Sequence, residues 1–159
     1  MMDRPVATDE EVLFDGGIMI TETDLKGKIT FANRKFVQMS AYDKDELIGR
    51  SHRVLRHPDM PKCAFKSLWD TIKKGQSWKG YVKNLRKDGA FFWVIVYITP
   101  KLDDDGNHIG YIAARKVPER STLEEIKRTY AELLKKEEET GIVTDYRGNM
   151  ISEDLSSVN

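Results

Sequence analysis

A run of ten residues from Ala90 to Thr99, "AFFWVIVYIT", contains no charged residue and no turn residue. Successive side chains of a β-strand point to opposite faces, and here both sets are apolar. One face would carry Phe92, Val94, Val96 and Ile98, and the other Trp93, Ile95 and Tyr97. The run is about half of the ~20 residues that a helix needs to cross a bilayer. It therefore predicts a strand that is covered on both faces.

The composition limits the class of protein. With 159 residues the chain is long enough for one domain with its own core and short for two. Lysine and arginine (26) balance aspartate and glutamate (26), so a broad positive surface for nucleic acid is not expected. The first residues lack the features of a signal peptide, and Cys63 has no second cysteine to pair with. These facts predict a cytoplasmic protein without a segment inserted in the membrane.

Shifts in composition divide the chain into four parts. Residues 1–16 are acidic with a short apolar patch, "EVLF", and would form an N-terminal cap. Residues 17–118 contain most of the aromatic residues and would form the domain. Residues 119–139 are charged and helix-prone, which predicts a C-terminal helix. Residues 140–159 are expected to be a mobile tail or a truncated continuation.

Turn and capping patterns predict the order of elements within the domain. Two strands joined by "DLKGK" come first, followed by short helices, with Asn33 placed as a cap and Asp43 and Glu46 at capping-box spacing. An amphipathic helix in "PKCAFKSLWDTIKKG" and three strands joined by "KDG" and "DDDGN" complete the order. This order predicts an α+β fold, a five-stranded antiparallel sheet with short helices on one face. The space between sheet and helices would hold a ligand.

The segment "RHPDMPK", residues 56–62, gathers polar side chains beside this predicted cavity. On the strand that follows, Trp78 and Asn84 share a face, since side chains alternate with period 2. Arg56 suits a phosphate through charge-assisted hydrogen bonds, the tryptophan offers a stacking face, and the asparagine both donates and accepts. Asp59 is equally well placed to cap the helix that begins near Pro61, so both roles stay open.

Catalysis and metal binding are not expected. His57 and Asp59 could act as base and orienter, but no nucleophile is placed beside them. The three histidines, His52, His57 and His108, lack the close paired spacing of metal sites. The pattern is more typical of a binding module than of an enzyme.

The stretch from Asn33 to Val94 resembles the flavin-binding PAS domain of bacterial energy-taxis (aerotaxis) receptors of the Aer type. The order of elements is that of PAS domains in general, and "RHPDMPK" followed by "W" and "VKN" is a much narrower signature. The likeness covers roughly residues 17–118. The resemblance implies non-covalently bound FAD whose oxidation state is the signal. The residues that fall on the family motif are His52, Arg56, His57, Asp59, Trp78 and Asn84.

The resemblance also implies a partner. Aer-type receptors continue into a membrane anchor and a signalling coiled coil. Residues 17–118 would therefore be the PAS sensor domain, and a membrane chemoreceptor or its HAMP-like signalling domain would be the partner that holds it at the inner face of the membrane. This sequence has no apolar anchor, so we expect either a separate flavin-PAS subunit of a two-protein energy-taxis system (CetB-like) or a part of a longer chain. The second face of the sheet would be covered by the "EVLF" segment, a second copy in a homodimer, or a receptor surface.

Two other types of PAS domain bind a photochemically active flavin or a haem. A light-sensing LOV domain carries its adduct-forming cysteine in an "NCR" motif where this chain has "SHR", so cysteine photochemistry is not expected. A haem PAS domain with His52 or His57 as axial ligand stays open, because imidazole suits iron. A PAS module that binds no ligand and acts only in protein–protein interaction is the remaining alternative.

The C-terminal helix is expected to carry the output. Ser121 and Glu124 form a capping-box pattern at its start. Apolar residues recur at helical spacing along one side: Leu123, Ile126, Tyr130, Leu133 and Leu134.

Overall fold

The computed structural model describes residues 4–144 and 150–152. The strands are β1 (Met19–Asp24), β2 (Ile29–Ala32), β3 (Trp78–Leu85), β4 (Phe91–Leu102), β5 (His108–Lys116), β6 (Val143–Thr144) and β7 (Met150–Ser152). The helices are α1 (Arg34–Ser40), α2 (Lys44–Leu47), a 3₁₀ helix (His52–Leu55), α3 (Lys62–Lys73) and α4 (Arg120–Thr140). The tail predicted for residues 140–159 lies largely outside the described residues.

Five strands form one antiparallel sheet in the order β2-β1-β5-β4-β3. The short helices and α3 lie on one face, which we call the inner face. The predicted α+β architecture is therefore confirmed. The core between the layers includes side chains that are fully buried, among them Met19, Phe36, Leu47, Ile72 and Phe92.

Local chemistry explains the first half of the fold. In the β1–β2 turn the Asp24 carboxylate accepts hydrogen bonds from two backbone amides, and Gly27 adopts a φ of +85°, which favours glycine. The Asn33 side chain accepts from the Phe36 backbone N–H at 3.1 Å, so the predicted cap of α1 is confirmed. Asp43 and Glu46 form the reciprocal capping box predicted for α2.

The inner face of β4 is buried, and its outer face is covered at Trp93 and partly at Ile95, while Tyr97 is exposed, so the predicted cover on both faces holds for the first half of the strand. On the outer face the Tyr130 ring of α4 lies 6.1 Å from the Trp93 ring, and its hydroxyl donates to the Tyr81 carbonyl at 2.8 Å. The "EVLF" segment lies at the edge of β4, where the Val12 backbone N–H donates to the Phe91 carbonyl at 2.7 Å. Its role as a cover of the outer face stays a prediction. The cover seen on that face is α4, which the sequence suggested only as an output element.

The start of α4 differs from the prediction. The helix begins at Arg120 with Glu119 as its N-cap residue, and the Ser121 hydroxyl donates to the Glu119 carboxylate at 2.7 Å. The Ser121–Glu124 capping box is therefore wrong, because Ser121 already lies inside the first turn. The apolar side of α4 is confirmed, with Leu123, Tyr130 and Leu133 buried. None of the helices in the described ranges combines the length and the apolar character that a membrane span requires.

Candidate functional site

Two small adjoining cavities lie between the inner face of the sheet and the helices. Each has a volume of about 50 Å³. They share four wall residues, His52, Leu68, Ile98 and Arg115. Such a volume holds about one or two water molecules, whereas pockets for organic ligands are usually ~300–1,000 Å³. A fused-ring ligand would therefore need the walls of this space to move apart.

Asn84 presents an unused hydrogen-bond donor to this space. It lies on the inner face of β3, lines the first cavity and is only 4% exposed. Its Nδ2 atom is buried without a hydrogen-bond partner among the described residues. Leaving a buried donor unsatisfied costs about 1–3 kcal/mol. A carbonyl group of a bound ligand would satisfy it, so the site suits a ligand with acceptor groups on its edge.

Arg56 forms part of the same wall. Its backbone pairs with Asn84 in an isolated bridge, and its guanidinium carbon lies 3.7 Å from the centre of the Phe65 ring. Burial, and then the positive charges of Arg53 and Arg4, lower the pKa of Arg56 to about 9. Arg4 also donates a hydrogen bond to the Arg56 carbonyl, which ties the N-terminal segment to the site. Arg56 thus lies beside the cavity, and its role in holding a ligand stays a prediction.

The site includes Arg115, which the sequence analysis did not single out. It lies on β5 and lines both cavities, and its Nη1 donates to the Thr21 hydroxyl at 2.8 Å. Burial lowers its pKa to about 10. No aspartate or glutamate is among the residues that line the two cavities. Two buried guanidinium groups thus give the space a positive potential, which favours negative charge on a ligand.

The alternation of side chains along β5 places Arg115 on the same face as a residue expected to line the cavity. Ala113, whose small side chain was expected to leave room for a ligand, lies two residues before Arg115 on the same face. The missing information was the pairing of Arg115 with Val96 across the sheet, which puts the guanidinium opposite His52. That pairing follows from the strand order and not from the local pattern.

Of the two histidines of the motif, His57 is buried and His52 is half-buried, and both lie among apolar and cationic groups. The His52 ring lies 5.4 Å from the Trp69 ring in a tilted arrangement. His57 is 3% exposed, and its Nδ1 accepts from the Asp59 backbone N–H at 3.0 Å. Burial is the main cause that lowers the pKa of each to about 4. Both imidazoles are therefore neutral at physiological pH.

These pKa values predict that acid destabilises the fold. Between the usual pKa of 6.5 and about 4, the unfolded chain binds protons at His52 and His57 that the folded chain does not bind. The free energy of unfolding should therefore fall by about 4 kcal/mol between pH 7 and pH 5, about half of it from each histidine. Urea unfolding at both pH values measures this. A His57→Gln variant should lose about half of the pH effect, and an unchanged effect would contradict the burial of a neutral His57.

Asp59 lies away from the cavities. Its carboxylate pairs with Lys83 at 3.1 Å and is 62% exposed, on the outer side of β3 near α4. It does not cap α3, because the first amides of that helix, those of Lys62 and Cys63, donate to Glu137. The helix-cap role predicted for Asp59 is therefore wrong. Its role in holding a ligand stays a prediction.

Trp78 also stands apart from the cavities. It is buried at the start of β3, where its indole N–H donates to the Ser67 hydroxyl at 3.3 Å. The ring lies over Gly80, and a Cβ added there would be 2.2 Å from it. Gly80 thus makes room for the ring along the strand. Trp78 and Asn84 share the inner face as predicted, and a stacking role for Trp78 stays a prediction.

Comparison with known proteins identifies the family. Residues 29–115 match the family model of the PAS fold. The chain belongs to the PAS family. This PAS chain is 43% identical to the aerotaxis receptor of Escherichia coli (strain K12) over 127 residues, which are 79% of the chain and 24% of the receptor. It is 30% identical to the nitrogen fixation regulatory protein of Klebsiella pneumoniae over 118 residues, 74% of the chain and 24% of that protein.

Solved structures agree with the PAS assignment. A light-oxygen-voltage domain studied with a flavin analogue matches with a TM-score of 0.57 and 27% identity, over 77% of this chain and 85% of that one. A PAS domain from Colwellia psychrerythraea, at 22% identity and a TM-score of 0.57, supports the fold alone; it covers 64% of this chain and 86% of its own. The chain spans about a quarter of the length of the two curated relatives above.

Proposed function

We propose that this PAS domain is a redox sensor of energy taxis that binds FAD non-covalently and passes the oxidation state of the flavin to a chemoreceptor signalling partner. The observation that carries the proposal is the buried Nδ2 atom of Asn84, which has no hydrogen-bond partner among the described residues and lines a cavity whose wall includes two arginines. The 43% identity to an aerotaxis receptor supports the same reading, as does the likeness to a flavin-binding LOV structure.

The residues of the cavity fit an isoalloxazine ring chemically. Asn84 would donate to a carbonyl of the ring, and an asparagine can also accept from a ring N–H. Arg115 and Arg56 would favour the negative charge that a flavin gains on reduction, and the neutral His52 would add a hydrogen bond. When bound, the flavin supplies electron transfer, and its hydrogen-bonding pattern and charge change with its oxidation state. His57, Asp59 and Trp78 are proposed to hold the rest of the dinucleotide.

The signal is proposed to leave through the sheet. Asn84 belongs to β3, and on the same strand the Tyr81 carbonyl accepts a hydrogen bond from Tyr130 of α4. A change in the hydrogen bonds of Asn84 would shift β3 and alter what the outer face and α4 bind. The partner is proposed to be a membrane chemoreceptor or its HAMP-like domain, which would keep the cytoplasmic sensor at the inner face of the membrane. Equal binding of that partner by oxidised and reduced protein would contradict this route.

An absorbance spectrum before and after dithionite tests the cofactor. We expect a yellow protein, or a colourless one that becomes yellow on reconstitution with FAD, whose visible bands bleach on reduction. Acid release of unmodified FAD would establish that the cofactor is not covalently bound. A well-folded protein that stays colourless and refuses FAD would overturn the proposal.

A ligand-free interaction module is the second candidate. The observation that favours it is the small volume of the two cavities, about 50 Å³ each. The same spectrum decides between the two, because a ligand-free module shows neither flavin bands nor binding. A haem Soret band would instead indicate iron ligation by His52 or His57.

A further inference from the structure

A carboxylate of α4 caps the N-terminus of α3. Glu137 accepts from the backbone N–H groups of Lys62 at 2.7 Å and Cys63 at 3.0 Å, and it is only 5% exposed. The N-cap residue of α3 is Pro61, whose side chain has no hydrogen-bonding group. Unpaired amides at a helix N-terminus are stabilised by negative charge. The cap that α3 lacks in its own sequence is therefore supplied by the last turn of α4.

The position of α3 sets the volume of the cavity. Phe65 and Leu68 of α3 form the wall opposite Val82, Val96 and Asn84 of the sheet. The two cavities hold about 50 Å³ each, which is too little for a tricyclic ring. Entry of such a ring requires the wall to move outward from the sheet, and Phe65 and Leu68 make α3 part of that wall.

Two contacts of α4 join it to different parts of the fold. Tyr130 holds it to the outer face through the Tyr81 carbonyl and the Trp93 ring, and Glu137 holds it to α3. Docked α4 therefore ties the N-terminus of α3 to the far side of the sheet. Outward movement of α3 and full docking of α4 compete.

We propose that the Glu137 cap couples ligand occupancy of the cavity to the docking of α4. Docked α4 holds α3 in the position that leaves no room for the ring, and a ligand that moves α3 outward weakens the cap and loosens α4. This inference rests on the proposed function, because the ligand is the flavin. This coupling runs through α3, whereas the signal route of the proposed function runs through β3. Because coupling between sites is reciprocal, weakening the cap must also tighten ligand binding.

Cys63 offers a direct readout of the cap. It is the single cysteine of the sequence and is fully buried in the first turn of α3. Burial, and then the Glu137 carboxylate, raise the pKa of its thiol to about 12, which makes it unreactive while α4 is docked. The rate of alkylation by iodoacetamide therefore reports how often the cap opens.

The experiment compares Glu137→Gln with Glu138→Gln, which changes the same charge at the exposed neighbouring position. The wild-type protein should show several-fold faster Cys63 alkylation when FAD is bound. Loss of a helix cap corresponds to about a fivefold change in an equilibrium, so E137Q should bind FAD about fivefold more tightly. Its alkylation should be fast with or without FAD, and E138Q should match the wild type.

A second variant separates coupling from simple damage to α3. Tyr130→Phe removes the hydrogen bond to the Tyr81 carbonyl and leaves α3 untouched, so it too should tighten FAD binding. Weaker FAD binding in E137Q, or E137Q and E138Q that behave alike, would overturn the coupling while the flavin site stands. Failure of every variant and of the folded wild type to bind FAD would overturn the proposed function and the coupling together.

Discussion

Replacing Asn84 by leucine is expected to stabilise the ligand-free protein and to weaken FAD binding about tenfold or more. The Nδ2 atom of Asn84 is buried without a partner among the described residues, so the ligand-free fold bears the cost of an unsatisfied donor. Leucine has a similar size and removes that cost, which should raise the free energy of unfolding by about 1 kcal/mol. Urea unfolding of the ligand-free protein and a fluorescence titration with FAD measure the two effects.

The matched control for this prediction is Gln76→Leu. Gln76 is an exposed amide between α3 and β3, outside both cavities, so its replacement should change neither quantity. If Asn84→Leu left FAD affinity unchanged, Asn84 would not be a ligand contact. If it also failed to raise stability, its amide would have a partner in the ligand-free state.

Replacing Arg115 by methionine is expected to raise the stability of the protein and to lower the midpoint potential of its bound flavin. The buried guanidinium bonds to the Thr21 hydroxyl and forms no ion pair with any described carboxylate. Removing a buried charge of this kind should raise the free energy of unfolding by about 1 kcal/mol or more. The same change should weaken the binding of reduced flavin relative to oxidised flavin about tenfold, which lowers the two-electron midpoint potential by about 30 mV.

An Arg115→Lys variant serves as the control, because it keeps the positive charge and changes only the geometry. Its midpoint potential should lie closer to the wild type than that of Arg115→Met. A spectroscopic redox titration against reference dyes gives all three potentials. Equal potentials in the three proteins would show that Arg115 does not act on the charge of the flavin.

Features that depend on neighbours in the sequence were predictable. The Asn33 cap, the Asp43–Glu46 box and the β1–β2 turn each involve residues two to four positions apart, so their geometry is contained in a short segment. The alternation of Ala90–Thr99 likewise required cover on both faces of β4. The motif histidines, Arg56 and Asn84 were recognisable because they fall on a family pattern. Ser121 shows the limit even here, because its hydroxyl donates to the Glu119 carboxylate and the helix begins two residues earlier than a Ser121 cap would place it.

Features that join distant residues were decided only by the tertiary structure. The cap of α3 comes from Glu137, 75 residues after Lys62, so the nearby Asp59 was the natural but wrong candidate. Arg115 reached the cavity because β5 lies between β1 and β4, an order that alternation within one strand does not specify. The cover of β4 by α4 has the same origin. An amphipathic pattern predicts that one face is buried. Only the packing of the whole chain determines which element that face packs against.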